Sequence, residues 1–151
     1  MELRLTVNDL ATLGRQAKIL PPIVKNVRGT APTVEADVAI AEIQNPPTAI
    51  RFAAKVAPVV AVSATLRGFD AGIARIGIAV SARRLPLEKL VGMAMPILER
   101  KLSARGLPAG TVRRGDSSDE FLVDLASVVR TKGVELHDLR TEDGRFVVDF
   151  S

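Results

Sequence analysis

The stretch that most constrains this chain runs Leu85-Pro86-Leu87-Glu88-Lys89-Leu90-Val91-Gly92-Met93-Ala94-Met95-Pro96-Ile97-Leu98-Glu99-Arg100-Lys101-Leu102. It has helical spacing, yet its middle has no polar face. A helix that is apolar all round must be buried or must touch something apolar. Leu87, Leu90, Val91, Ala94, Leu98 and Leu102 follow the i, i+3, i+4, i+7 spacing of a core-facing stripe, and Met93 and Ile97 lie off it. Pro96 removes a backbone donor inside the segment and predicts a kink.

The flanking sequence reads mainly as strand. Val34, Ala36, Val38 and Ile40 alternate with Glu35 and Asp37 between them, and Ile50, Phe52, Ala54 and Val56 continue the alternation with Arg51 and Lys55 facing outward. The period of two predicts half-buried strands. Val60, Val62, Ala64 and Leu66 lead into the reversal Gly68-Phe69-Asp70-Ala71-Gly72, and Ile76, Ile78 and Val80 return, which predicts a hairpin. A last hairpin is predicted from Val134–Arg140 and Arg145–Phe150 around Thr141-Glu142-Asp143-Gly144. Near the N-terminus, Asn8 is placed to cap a short helix over Asp9–Lys18.

These readings sum to an α+β fold. A strongly curved, mainly antiparallel sheet wraps one long proline-kinked helix (about 86–104), and a short N-terminal helix precedes it. With 151 residues the chain has the size of one domain, 1–151. On one strand face Ala57, Ala61 and Ser63 stand against Gly77, Ala79 and Ser81. Small residues there leave room for something bulky above the sheet.

Little in the chain supports catalysis. It has no Cys and one His, His137, so thiolate metal sites, thiol nucleophiles and most histidine chemistry are excluded. Asp116, Asp119, Glu120 and Asp124 lack the spacing of a calcium loop, and Gly106-Leu107-Pro108-Ala109-Gly110 lacks the Lys-Ser/Thr sequel of a phosphate loop. We expect no enzyme activity, no metal and no cofactor.

The formal charge is +4, but it is segregated. Residues 1–115 carry 17 basic and 8 acidic groups, net +9; residues 116–151 carry 4 and 9, net −5. Such a field attracts anions of several kinds. Nucleic acid is disfavoured as the partner, because Trp and Tyr are absent and no exposed stacking platform is apparent. No apolar run approaches the roughly 20 residues of a membrane span, and the N-terminus lacks a signal-peptide core. The expectation is a cytoplasmic protein with peripheral membrane contact at most.

The order of long alternating strands, a proline-bounded apolar helix, and a closing Gly-Val-Glu-Leu-His-Asp-Leu-Arg-Thr-Glu-Asp-Gly-Arg-Phe-Val-Val hairpin resembles the bacterial tubular lipid-binding (TULIP-type) domains, over Thr33 to Phe150. The resemblance implies a groove for acyl chains between helix and sheet. It places Ala61, Ser63, Gly77 and Ala79 on the sheet side and Leu90, Met93, Met95 and Ile97 on the helix side. Arg83, Arg84, Arg113 and Arg114 flank the helix and are expected near an anionic headgroup. The expected function is non-enzymatic binding of an apolar small molecule or lipid. The alternative is an assembly module whose partner is a second copy or another protein.

Overall fold

The computed structural model describes residues 1–18, 20–46, 48–81, 99–100, 103–104, 106–108 and 110–151. Nine strands are present among them: β1 (Glu2–Leu5), β2 (Val24–Arg28), β3 (Thr33–Val38), β4 (Val60–Asp70), β5 (Ile73–Ser81), β6 (Val112–Arg114), β7 (Glu120–Asp124), β8 (Leu136–Glu142) and β9 (Arg145–Phe150). Short helices accompany them, α1 (Val7–Gln16), α2 (Thr48–Val56) and α3 (Leu125–Arg130), with a 3-10 turn at Ile40–Glu42. The strands form two antiparallel sheets, β1-β9-β8 and β2-β3-β4-β5-β7-β6.

The expected architecture is therefore corrected. The strands do not make one curved sheet, because β1 pairs with β9 from the far end of the chain, Leu5 opposite Phe146, and closes a separate three-stranded sheet. Among the described residues no long helix is wrapped by a sheet. The helix expected over 86–104 falls largely outside the described residues; of its span, 99–100 and 103–104 are described, and they are helical. A second correction concerns Ile50–Val56, expected as strand and found in α2. Among its described side chains Ile50 and Ala53, three residues apart, are buried at 6% and 2% exposure, whereas Phe52 and Val56 are exposed. The alternation of Ile50, Phe52, Ala54 and Val56 overlaps a helical stripe of Ile50, Ala53 and Ala54, and it is Ile50 and Ala53 that are buried.

Where alternation meets turn chemistry, sequence and structure agree. β4 and β5 form a long hairpin whose turn residues Ala71 and Gly72 both have positive φ, 51° and 84°. Asp143 and Gly144 do the same for β8 and β9, at 51° and 72°. Two positive φ values suit the mirror-image turns that follow strand twist. The N-terminal helix is present, but its cap is Thr6 instead of Asn8. The Asp9 amide donates to Thr6 Oγ1 at 3.1 Å, and the Thr6 amide donates to Asp9 Oδ2 at 2.9 Å. This reciprocal box holds the Asp9 carboxyl below the usual carboxylate range, the Thr6 amide being the main cause.

The sheets meet where Val7 of α1, Ala31 and Phe146 of β9 are buried together, with Leu10, Val27, Val34, Leu66 and Leu139 packed around them. The opposite face of the small sheet is sealed differently. Val147 is fully buried although Arg4 and Arg140 stand directly beside it on β1 and β8. Arg140 pairs with Glu142 at 2.9 Å and with Asp138 and Glu2 at 3.0 Å, and Arg4 reaches Glu2 and Glu142. The aliphatic stems of the two arginines cover Val147 while their heads stay in an ionic lattice. The Glu142 carboxyl is pulled down by Arg140.

Candidate functional site

Register assigns each side chain of the six-stranded sheet to one of two faces. Directly opposed residues share a face, so Val34, Ala64 and Ile78 stand on one side and Glu35, Ser63 and Ala79 on the other. The faces differ in chemistry.

The face turned toward the small sheet is apolar. Val34, Ala64, Leu66, Ala74 and Ile76 form its floor. Leu139, Phe146 and Val148 approach from the small sheet, with Leu136 at the start of β8. Leu10 of α1 with Pro32, and Leu125 with Val129 of α3, complete the wall of a cavity of about 320 Å³. All thirteen named lining residues are apolar. Val34, Ala64, Leu66 and Ile76 are only half-buried, so the core begun at Val7, Ala31 and Phe146 continues into space open to solvent on one side.

α3 is positioned by a local device. Asp124 caps it, its Oδ1 accepting from the Ser127 amide at 3.1 Å and its Oδ2 from the Ser127 hydroxyl at 2.8 Å. The cap fixes the turn that points Leu125 and Val129 at the cavity.

The opposite face carries the small residues expected to line a groove, and its surroundings are polar. Ala61, Ser63 and Ala79 border a smaller depression of about 250 Å³ with Arg28 and Glu35 of the same face, and Val62 and Val80 of the same strands also line it. Arg28 pairs with Asp37 at 3.3 Å and Glu35 at 3.6 Å, and the Asp37 carboxyl is held low chiefly by Asn26. Gly77 is covered by a side chain of the same face: a Cβ there would collide with the Arg67 guanidinium. Arg67 spans Gly77 to reach Asp119 at 2.8 Å and the buried Glu120 at 3.3 Å. The hydrogen bond from Arg67 pulls the Asp119 carboxyl below its ordinary value. Thus Ala61, Ser63 and Ala79 are brought together, while Gly77 belongs to an ion-pair cluster.

No protein-family model, curated protein or solved structure matches this chain. The site is accordingly defined by its own geometry.

Leu90, Met93, Met95, Ile97, Arg83 and Arg84 lie outside the described residues. Arg113 and Arg114 are exposed on the edge strand β6. Only Arg114 shares the face of the cavity. Leu66, Ile76, Phe121 and Arg114 are successive partners across β4, β5, β7 and β6, so Arg114 ends the row that begins in the cavity floor. With strands about 4.8 Å apart, its Cα lies roughly 10 Å from that of Ile76. Its guanidinium donates to the Ser118 carbonyl at 3.2 Å.

His137 is exposed, its Nε2 2.7 Å from Ser151 Oγ, and among the described residues no carboxylate is hydrogen-bonded to its ring. Asp119 and Glu120 are taken up by Arg67, and Asp124 by its cap, so the acidic turn has structural duties. Among the described residues no cluster of three or more His, Cys, Asp or Glu is placed to hold a metal ion. The apolar floor that sequence reasoning passed over was legible as the large-residue face, Val34, Leu66 and Ile76; which face the second sheet covers was not.

Proposed function

We propose that this chain binds an apolar ligand of single-acyl-chain size in the cavity between its two sheets. The observation that carries the reading is a floor of Val34, Ala64, Leu66 and Ile76 left half-buried beneath a second apolar sheet face. Apolar side chains of a domain core normally interlock with few voids larger than water. At about 320 Å³ the space lies at the small end of the range for ligand pockets, roughly 300–1,000 Å³. That size suits one alkyl chain better than a two-tailed lipid.

The resemblance to tubular lipid-binding domains contributes the ligand class, and the apolar lining supports a seat on the large-residue face instead of the small-residue one. Arg114, at the end of the Leu66–Ile76–Phe121 row, supplies the cation for a carboxylate or other anionic end group. The test is displacement of the fluorescent probe 1-N-phenylnaphthylamine by palmitate, with native mass spectrometry of the purified chain. Saturable enhancement, reversed by palmitate and weakened in Arg114→Glu, is the expected result. A chain at its bare mass that neither enhances the probe nor takes up palmitate would overturn the reading.

A further inference from the structure

α2 presents a face that the fold does not use. Ile50 and Ala53 anchor it, and the Ala41 amide donates to the Pro58 carbonyl at 3.3 Å just beyond its end. The outward side carries Phe52 and Val56, at 67% and 70% exposure, and Val59, in the bend that follows the helix, is 54% exposed. These are the three most exposed large apolar side chains after Met1 among the described residues. Helical spacing sets Arg51 and Lys55 alongside them, and the Lys55 ammonium lies 5.6 Å from the centroid of the Phe52 ring. α2 has no acidic residue, and neither cation is paired with a carboxylate among the described residues. Glu42 of the neighbouring turn is itself bound to Lys25 at 3.0 Å.

We propose that the Phe52–Val56 face of α2, flanked by Arg51 and Lys55 and followed by the exposed Val59, docks the protein onto an anionic lipid bilayer. Aromatic and aliphatic side chains beside cations, lying along a short helix, match the boundary between headgroups and acyl chains. Each cation near an anionic surface contributes about five-fold in affinity, so two of them with a shallow apolar insertion give a reversible attachment. A stable protein interface, by contrast, needs roughly 800 Å² on each partner and 20–30 residues a side, more than one nine-residue helix offers.

The chain has no Trp or Tyr, so Phe52→Trp introduces its sole indole. The variant is mixed with vesicles of phosphatidylcholine alone or of equimolar phosphatidylcholine and phosphatidylglycerol. The expected result is a blue shift and quenching by acyl-chain bromines with the anionic vesicles only. Arg51→Glu/Lys55→Glu in the same background should weaken binding about ten-fold or more. Val59→Trp repeats the measurement in the bend just beyond the helix, and circular dichroism verifies the fold of each variant. Emission unchanged by anionic vesicles in both reporters would overturn the proposal. So would a blue shift that grows with protein concentration without vesicles, which would identify a second copy as the occupant. Because the face is separate from the cavity lining, these outcomes are independent of palmitate binding.

Discussion

Ala64→Leu separates a cavity that receives a ligand from a core that merely looks open. Ala64 lies in the cavity floor between Val34 on β3 and Ile78 on β5, half-buried and without polar neighbours on its face. Leucine adds three carbons. At about 0.8 kcal/mol per buried methylene the gain is at most ~2.4 kcal/mol, and the half-open site reduces it to about 1–2 kcal/mol. For a domain of this size each kcal/mol corresponds to roughly 2–4 °C in melting temperature. The variant should therefore melt about 3–6 °C higher than the parent while losing probe and palmitate binding. Differential scanning calorimetry and the displacement assay read the two effects separately. If the space is already filled by other parts of the chain, the added carbons overpack it, at a cost of about 1–3 kcal/mol, and the melting temperature falls. That fall would refute the reasoning. A rise with binding unchanged would place the ligand elsewhere.

Three further outcomes follow from the same geometry. Gly77→Ala should drive Arg67 away from Gly77 and return the Asp119 carboxyl toward its ordinary pKa, read by NMR titration, while palmitate binding stays unchanged; lost binding would place the ligand on the small-residue face after all. Asp124→Ala should cost about 1 kcal/mol by uncapping α3, and should weaken palmitate binding because Leu125 and Val129 lose their fixed position; denaturant unfolding and the displacement assay measure both. Acid should destabilise the fold: Asp9, Asp37, Asp119 and Glu142 all have lowered folded-state pKa values, so their stabilisation is in place at neutral pH and is lost as pH falls through those values, below about pH 4. A denaturation midpoint that stayed constant between neutral pH and about pH 3 would contradict this.

Both hairpins were legible because two local signals agreed: alternation on the strands, and Ala71-Gly72 or Asp143-Gly144 at the reversals. α2 was not, because Ile50, Phe52, Ala54 and Val56 fit a strand while Ile50, Ala53 and Ala54 fit a helix. That ambiguity is settled only by what Ile50 and Ala53 are buried against. Long-range pairings carried no local mark: β1 with β9 joins the two ends of the chain, and Arg67 reaches Asp119 across 52 positions. The candidate site suffered from the same limit. Sequence distinguishes a small-residue face from a large-residue face of β4 and β5, but coverage by a second sheet depends on β1 leaving the main sheet.

That departure of β1 also explains why the cavity lies where it does. Once β9 pairs with β1 and β8, Val147 is shielded by Arg4 and Arg140, so the small sheet can bury Phe146 and Val148 only against the large one. Leu10, Val34, Leu66 and Leu139 then serve both the packed cluster and the cavity, making the cavity a continuation of the core. Deleting packing from a core costs about 24 cal/mol per Å³ of residual cavity, so filling some 320 Å³ is worth up to about 8 kcal/mol, less whatever the open side forfeits. The stability of a whole domain is only about 5–15 kcal/mol. A ligand that captured a quarter of that term would raise the melting temperature by several degrees at saturation, as linkage requires of anything that binds the folded state alone. Palmitate should therefore stabilise the parent chain and leave Ala64→Leu unmoved, and equal shifts in the two proteins would exclude the cavity as the seat of binding.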